Sequence, residues 1–265
     1  MKFCSIASGS SGNCIFAGSE HSSVLVDAGL SGIRIERGLA SIDRSARDID
    51  AVLVTHEHSD HIKGVGVLAR KYGLPVYTTE GTARELAKNS SVGTIPDGLL
   101  RIVHADEAFA IGDLYIKPFA ISHDAAEPVG FRIECGGKSA AVATDMGCYT
   151  DYIVQNLKDL DVLLLEANHD VRMLEAGPYP YYLKRRILSD HGHLSNETSG
   201  QLLGRLLNDG IRHVFLGHLS KENNYEELAY ETVCTEVTFG DNPYKARDFE
   251  ITIARRDEPS MAVNW

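Results

Sequence analysis

The sequence predicts an α/β chain arranged as a four-layer αββα sandwich, two β-sheets face to face with helices on both outer sides. Three observations carry that expectation. Strand-like and helix-like runs come in two successive blocks, each with strands first and helices after. The stretch from Gly98 to Thr144 is mostly strand, without the long crossovers a purely parallel sheet requires. The chain has 265 residues, enough to bury a large core as one domain over 1–265. A plain doubly wound parallel sheet is the alternative architecture.

The elements follow in order. "KFCSIA", "NCIFAG" and "SSVLVDAG" read as short strands. "SGIRIERGLASI" places Ile33, Leu39 and Ile42 among charges and reads as a helix. "AVLVTH" is a strand, "IKGVGVLARKYG" a helix closed by Gly73, "LPVYTT" a strand and "TARELAKN" a helix. The middle supplies "LLRIVH", "AFAIGDLYIKPFAIS", "PVGFRIECGG" and "KSAAVATD" as strands. The last third alternates helices ("DYIVQNLKDL", around "PYPYYLKRRILS", "SNETSGQLLGRLLND", "NNYEELAYETVCTE") with strands ("DVLLLEA", "RHVFLGH", "FEITIAR").

The formal charge of −11 argues against a protein that coats nucleic acid nonspecifically. It leaves a nuclease open, because a carboxylate cluster is neutralised by the metals it holds. Cys4, Cys14, Cys135, Cys148 and Cys234 are an odd set with no C-x-x-C pair, so free thiols in a reducing compartment are expected. No apolar run suits a secretory signal or a membrane span, and the expected location is the cytoplasm.

The chemistry concentrates at strand ends. "THEHSDHIKG" packs three histidines and two acids between His56 and His61, just after an apolar run. Neutral nitrogens and a carboxylate from one turn suit a pair of divalent cations. Other strand-like runs also end in a metal-capable residue: Asp27, His123, Asp145 and His218. Strand ends on one edge of a sheet converge in space although far apart in sequence.

In their order and spacing these residues resemble the five motifs of the metallo-β-lactamase superfamily, a match running from Asp27 to His218. "SIASGSSGNC", "EANHD", "GPYPYYLKRRI" and "GHLSN" further resemble the YycJ/WalJ-like branch, associated with 5′-to-3′ DNA exonuclease activity. The resemblance implies two metals. His56, His58 and His123 would hold the first, Asp60, His61 and His218 the second, with Asp145 bridging and Asp27 orienting the cluster from behind. Two such cations share a hydroxide and stabilise charge on a phosphate, and Asp60 can also orient that hydroxide. Manganese or zinc suits the donors, and iron is compatible. Flavin-linked di-iron relatives carry Glu where this chain has His58, which disfavours an oxygen- or nitric-oxide-reducing role. Glu57, between ligands, reads as a structural contact.

By the same resemblance His193 serves as general acid or oxyanion support, beside a helix capped by Ser195. Its rivals are a backbone-bonded helix-entry histidine, or a ligand in place of His218. Asn168 and His169 either shape a phosphate pocket or are structural; His21, His104 and His213 read as surface or strand-edge residues. The "SGSSGN" loop, with Ser10 and Asn13, either cradles an anion or simply joins two strands. "LKRR" can steer a nucleic-acid backbone or be a wet helix face, and Tyr179, Tyr181 and Tyr182 beside it read as core or rim packing before base stacking. The expected function is a dinuclear phosphodiester hydrolase, a DNA exonuclease first of all. Its rivals are a metal hydrolase of a small cyclic phosphodiester, thioester or lactone, and a metal-stabilised binding protein without catalysis. DNA is the expected partner, with no membrane; the sequence leaves oligomeric state open.

Overall fold

The computed structural model of the chain describes residues 1–265. Along the chain come strands β1 (Lys2–Ala7), β2 (Cys14–Gly18) and β3 (Ser23–Val26), then helix α1 (Gly32–Ala40) and β4 (Ala51–Leu53). Helices α2 (Ser59–Ile62) and α3 (Val65–Tyr72) precede β5 (Val76–Thr78) and α4 (Glu80–Lys88). The strand-rich middle holds β6 (Leu100–Ile102), β7 (Phe109–Ile111), β8 (Leu114–Ala120), β9 (Val129–Cys135) and β10 (Lys138–Ala143). There follow α5 (Asp151–Leu157), β11 (Val162–Glu166), α6 (Val171–Ala176), α7 (Tyr181–Ile187), α8 (Asn196–Leu206), β12 (His213–Gly217), α9 (Glu226–Phe239), β13 (Ile251–Ile253) and β14 (Val263–Asn264). No helix is long and apolar enough to cross a membrane.

Two compact units are formed. The first comprises 1–120, 125–138 and 255–265; the second comprises 121–124 and 139–254. In the first, a sheet runs in the order β14-β1-β2-β3-β4-β5-β6. The meander β1–β2–β3 is antiparallel, whereas β3 through β6 are parallel, with the α1, α2–α3 and α4 segments as crossovers. Phe16, Leu25, Val52 and Val54 pack with Ile35, Leu39, Ile62 and Leu68 of the helical segments into one buried cluster. β7, β8 and β9 pair antiparallel in the same unit. The run expected as one strand over "AFAIGDLYIKPFAIS" is therefore a hairpin, turned at Gly112 where φ is 56°. Of the helix expected over "IKGVGVLARKYG", α3 covers Val65–Tyr72, with Lys63 and Gly64 in a turn that separates it from the short α2 ahead, and Gly73 caps α3 at φ 70° as expected. β14 was not expected.

In the second unit β10, β11, β12 and β13 are parallel in that order. β11 and β12 are buried along their whole length, which is why "VLLLE" and "HVFLG" read as unbroken apolar runs rather than alternating ones. α8 and α9 pack together, burying Leu202, Leu203 and Leu206 on one and Ala229, Val233 and Val237 on the other. Ser195 caps α8 as expected, its Oγ accepting from Thr198 N at 3.2 Å. His213, expected at the surface or a strand edge, is buried at 4 % exposure, because β12 lies between two other strands. Its Nε2 meets Thr252 Oγ1 at 2.7 Å.

Candidate metal centre

Each strand-end residue sits just past its strand: Asp27 after β3, His123 after β8, Asp145 after β10 and His218 after β12. Only six non-glycine residues have positive φ, and Asp27 (61°), Asp145 (61°) and His218 (54°) are three of them. The left-handed conformation lets the chain turn out of the strand at once and is tolerated where the surroundings impose it.

In the first unit the turn from Thr55 to His61 folds over Asp27. The buried Asp27 carboxylate accepts from Thr55 N at 2.9 Å, from Thr55 Oγ1 at 2.9 and 3.1 Å, and from His61 Nδ1 at 2.7 Å. These bonds fix two tautomers. His61 donates from Nδ1, which makes Nε2 the acceptor. The Thr55 hydroxyl gives its proton to Asp27 and so accepts from His56 Nδ1 at 3.0 Å, making His56 Nε2 an acceptor as well. That nitrogen lies 3.1 Å from His58 Nδ1, and Asp60 Oδ2 lies 3.6 Å from His61 Nε2. Two converging imidazole nitrogens and an imidazole–carboxylate pair are donor sets a divalent cation takes.

Asn13 comes to this cluster from the "SGSSGN" loop. Its side chain is held by Gly9 N and O, and its Nδ2 lies 3.0 Å from His61 Nε2 and 3.5 Å from Asp60 Oδ2. Its backbone N donates to Asp60 O at 2.7 Å. Gly29 closes the arrangement, for a Cβ there would stand 1.6 Å from the Asp60 carbonyl oxygen. Ser10 is exposed, its Oγ accepting from Arg256 Nη1 at 3.0 Å. Glu57 is structural as expected: its carboxylate accepts from Ala126 N at 2.7 Å and Thr82 Oγ1 at 3.4 Å.

In the second unit Asp145, Glu166, His193 and His218 offer ligand atoms within 4.8 Å of one another. Glu166 is the residue the sequence reading missed. It ends β11, fully buried, and accepts from His193 Nδ1 at 2.7 Å and His218 Nδ1 at 3.0 Å through one oxygen. The other accepts from Met146 N at 2.9 Å and Leu194 N at 3.1 Å. Burial alone would raise its pKa, but the His193 and His218 imidazoles outweigh burial and hold the carboxyl well below the ordinary range. One carboxylate thereby fixes both histidines between which the sequence could not choose. Asp145 Oδ1 lies 3.4 Å from His218 Nδ1, 3.8 Å from His193 Nδ1 and 3.8 Å from His123 Nε2. His123 donates from Nδ1 to Gly192 O at 3.0 Å, so Nε2 is its acceptor. The sign of Glu166 was its place at the end of "VLLLE", a charge closing an otherwise apolar buried strand.

Asn168 is buried and donates to His218 O at 2.8 Å. His169 is 1 % exposed with neither ring nitrogen hydrogen-bonded, and burial lowers its pKa to about 4.

Residues 22–218 match the β-lactamase superfamily domain, about three quarters of the chain. The chain belongs to the metallo-β-lactamase superfamily. Within this superfamily it is 43 % identical over 241 residues to the exodeoxyribonuclease WalJ of Streptococcus pneumoniae, covering 91 % of this chain and 90 % of that protein. It is 42 % identical over 233 residues to the exodeoxyribonuclease YycJ of Bacillus anthracis, covering 88 % of each. Zn(2+)-bound PqqB from Methylobacterium extorquens superposes with a TM-score of 0.71 at 16 % identity over 100 % of both chains. The metallo-β-lactamase fold protein YhfI from Bacillus subtilis gives 0.69 at 17 % identity, also over 100 % of both chains. The fold is thus the α/β sandwich of two mixed sheets with helices that the sequence predicted, and the superfamily's histidine and aspartate cluster suits divalent metal.

Proposed function

We propose that this member of the superfamily is a metal-dependent exodeoxyribonuclease that hydrolyses phosphodiester bonds from a 5′ end. The observation that carries the reading is the 43 % identity over nine tenths of the chain to a protein named an exodeoxyribonuclease, in a chain whose metal-capable side chains have their tautomers set for ligation. His56, His58 and His123 are assigned to one cation, Asp60, His61 and His218 to a second, and Asp145 to both, with manganese or zinc as the ions. When bound, such a pair supplies Lewis acidity toward the phosphate and lowers the pKa of a water.

The chain's own residues supply the rest. Asp27 and Glu166 lock the imidazoles behind the ligands, so no reorganisation is required at turnover. His193 is 18 % exposed, in contrast to the buried His218, and its Nδ1 is tied to the ionised Glu166. Its Nε2 can therefore carry a proton to the departing 3′ oxygen, with Glu166 stabilising the imidazolium. Asp60 orients the attacking water. Ser10, which is exposed, and the buried His169 are assigned to the substrate pocket, whereas the buried Asn13 and Asn168 act on substrate through His61 and the His218 backbone, which they hold.

The test is degradation of end-labelled DNA by purified protein after chelation, with metals restored singly and bound metal counted by mass spectrometry. Release of mononucleotides only on restoring Mn²⁺ or Zn²⁺, with two ions per chain, is expected. Turnover indifferent to chelation would end the proposal. Inertness toward DNA together with cleavage of a small aryl phosphodiester would replace it with the small-substrate reading.

A further inference from the structure

α7 buries none of its seven residues. Tyr181 and Tyr182 are 76 % and 75 % exposed, and Leu188 just beyond is 44 % exposed. Core packing, one of the roles expected for these tyrosines, is not what the fold gives Tyr181 and Tyr182. A helix that only half-buries Leu183 and Ile187 while holding two aromatic rings in solvent presents the kind of apolar surface that marks an interaction site.

The helix is nevertheless held firmly. Lys184 Nζ donates to the carbonyls of Glu175 at 2.6 Å and Gly177 at 2.7 Å. Arg186 pairs with Asp124, the neighbour of His123. His193 N donates to Ile187 O at 3.0 Å, the last residue of α7. Gly192 is pressed so closely beneath that a Cβ there would stand 2.1 Å from the same oxygen. The platform is therefore joined directly to the loop that carries His193. Seven residues at 1.5 Å rise put the tyrosines roughly 10 Å from that junction, about three stacked nucleotides at 3.4 Å each.

We propose that α7 is the docking surface for the single strand of DNA whose end is being cleaved, with bases stacked on Tyr181 and Tyr182 and the backbone drawn by Arg185. The proposal rests on the nuclease reading. Each ring offers a π-face that accepts any base, which suits an enzyme advancing along arbitrary sequence. Arg185 lies over Tyr181, its guanidinium carbon 6.0 Å from the ring centroid, so one site combines stacking surface and positive charge. Lys184 and Arg185 carry positive charge beside the Arg186–Asp124 pair in a chain of net charge −11, which makes this helix complementary to a polyanion.

The test compares the wild type with Tyr181→Ala/Tyr182→Ala and Tyr181→Phe/Tyr182→Phe, all checked for unchanged thermal unfolding. Affinity for fluorescent 5′-phosphorylated oligothymidylate is measured in chelator, and KM in restored metal is measured for DNA and for a small aryl phosphodiester. The alanine pair is expected to weaken DNA binding and raise the KM for DNA at least about tenfold relative to the diester, from two lost stacking contacts. The phenylalanine pair should retain wild-type affinity, and Arg185→Ala should flatten the salt dependence of binding. If the wild type degrades DNA and the alanine pair has the same affinity and KM, the platform is refuted while the nuclease reading stands. A wild type that does not degrade DNA removes the nuclease reading, and absence of oligothymidylate binding removes the platform with it. Loss of self-association or of anionic-vesicle binding in the alanine pair, with DNA affinity intact, would reassign the surface to a second copy or to a membrane.

Discussion

The two units each place one buried carboxylate behind a set of imidazoles, yet they reach that arrangement differently. In the first unit Asp27 supports a single turn, Thr55 to His61, in which the three histidines and Asp60 are sequence neighbours. In the second, Glu166 gathers His193 and His218 from segments 27 and 52 residues away and fastens two backbone N–H groups besides. The first cluster is a local motif, anchored by Asp27 and steadied by Asn13. The second has almost no local signature and is assembled by the parallel strands β10, β11 and β12, whose ends it joins. A carboxylate that knits distant segments carries more of the fold than one that steadies a single turn.

The comparison can be pressed by mutation. The largest effect is expected from removing a ligand of the first cluster. Asp60→Ala or His58→Ala should lower turnover of DNA by about a thousandfold or more while thermal unfolding stays near wild type, since neither side chain is part of the core. Substantial activity in both variants would remove the first cluster from the chemistry. Glu166→Ala should lower activity and stability together, unlike removal of Asp60 or His58. Leaving two histidines and two N–H groups without their buried acceptor costs about 3–5 kcal/mol, read as a fall in midpoint in denaturant. A folded, stable Glu166→Ala protein would contradict the anchoring role. Asp27→Asn keeps the shape but weakens the hold on His61, and metal affinity by chelator competition should fall about 10–100-fold with a smaller change in stability.

The smallest effect concerns pH. His169 is neutral in the fold because burial lowers its pKa from 6.5 to about 4. The unfolded chain takes up a proton that the folded chain refuses, so stability is fully present above pH about 6.5 and is lost as pH falls through the folded value. The contribution is on the order of 1–3 kcal/mol. Denaturant midpoints at pH 7 and pH 4.5 should converge in His169→Phe relative to wild type; identical pH dependence in the two proteins would show His169 to be already charged or exposed.

Legibility in the sequence follows the same division. The turn His56 to His61 was legible because its ligands are adjacent, and Asp27, His123, Asp145 and His218 because each closes an apolar run. Glu166 also closes one, but the superfamily resemblance that assigns Asp27 and Asp145 assigns it no role, and by itself it has the look of a strand end meeting water. Nothing in the sequence pairs it with His193 and His218, because that pairing is made by parallel register. His213 was misread for a related reason, as the depth of β12 depends on β11 and β13 lying on either side. The tyrosines of α7 were read as core or rim packing, and the exposure of Tyr181 and Tyr182 excludes the core. The strand blocks were legible, but the hairpin turn at Gly112 and the turn at Lys63 and Gly64 were not, as each involves a single glycine inside an otherwise continuous pattern.

The backbone torsions at Asp27, Asp145 and His218 have an evolutionary reading. All three hold a conformation that glycine adopts without steric cost. Substituting glycine at any of them would relieve the local crowding, so a lineage released from its chemical duty should drift toward glycine there and gain heat resistance where the lost contacts are few. The side chains at these three positions therefore place donor atoms at the strand ends at the expense of backbone ease, a local exchange of endurance for reactivity.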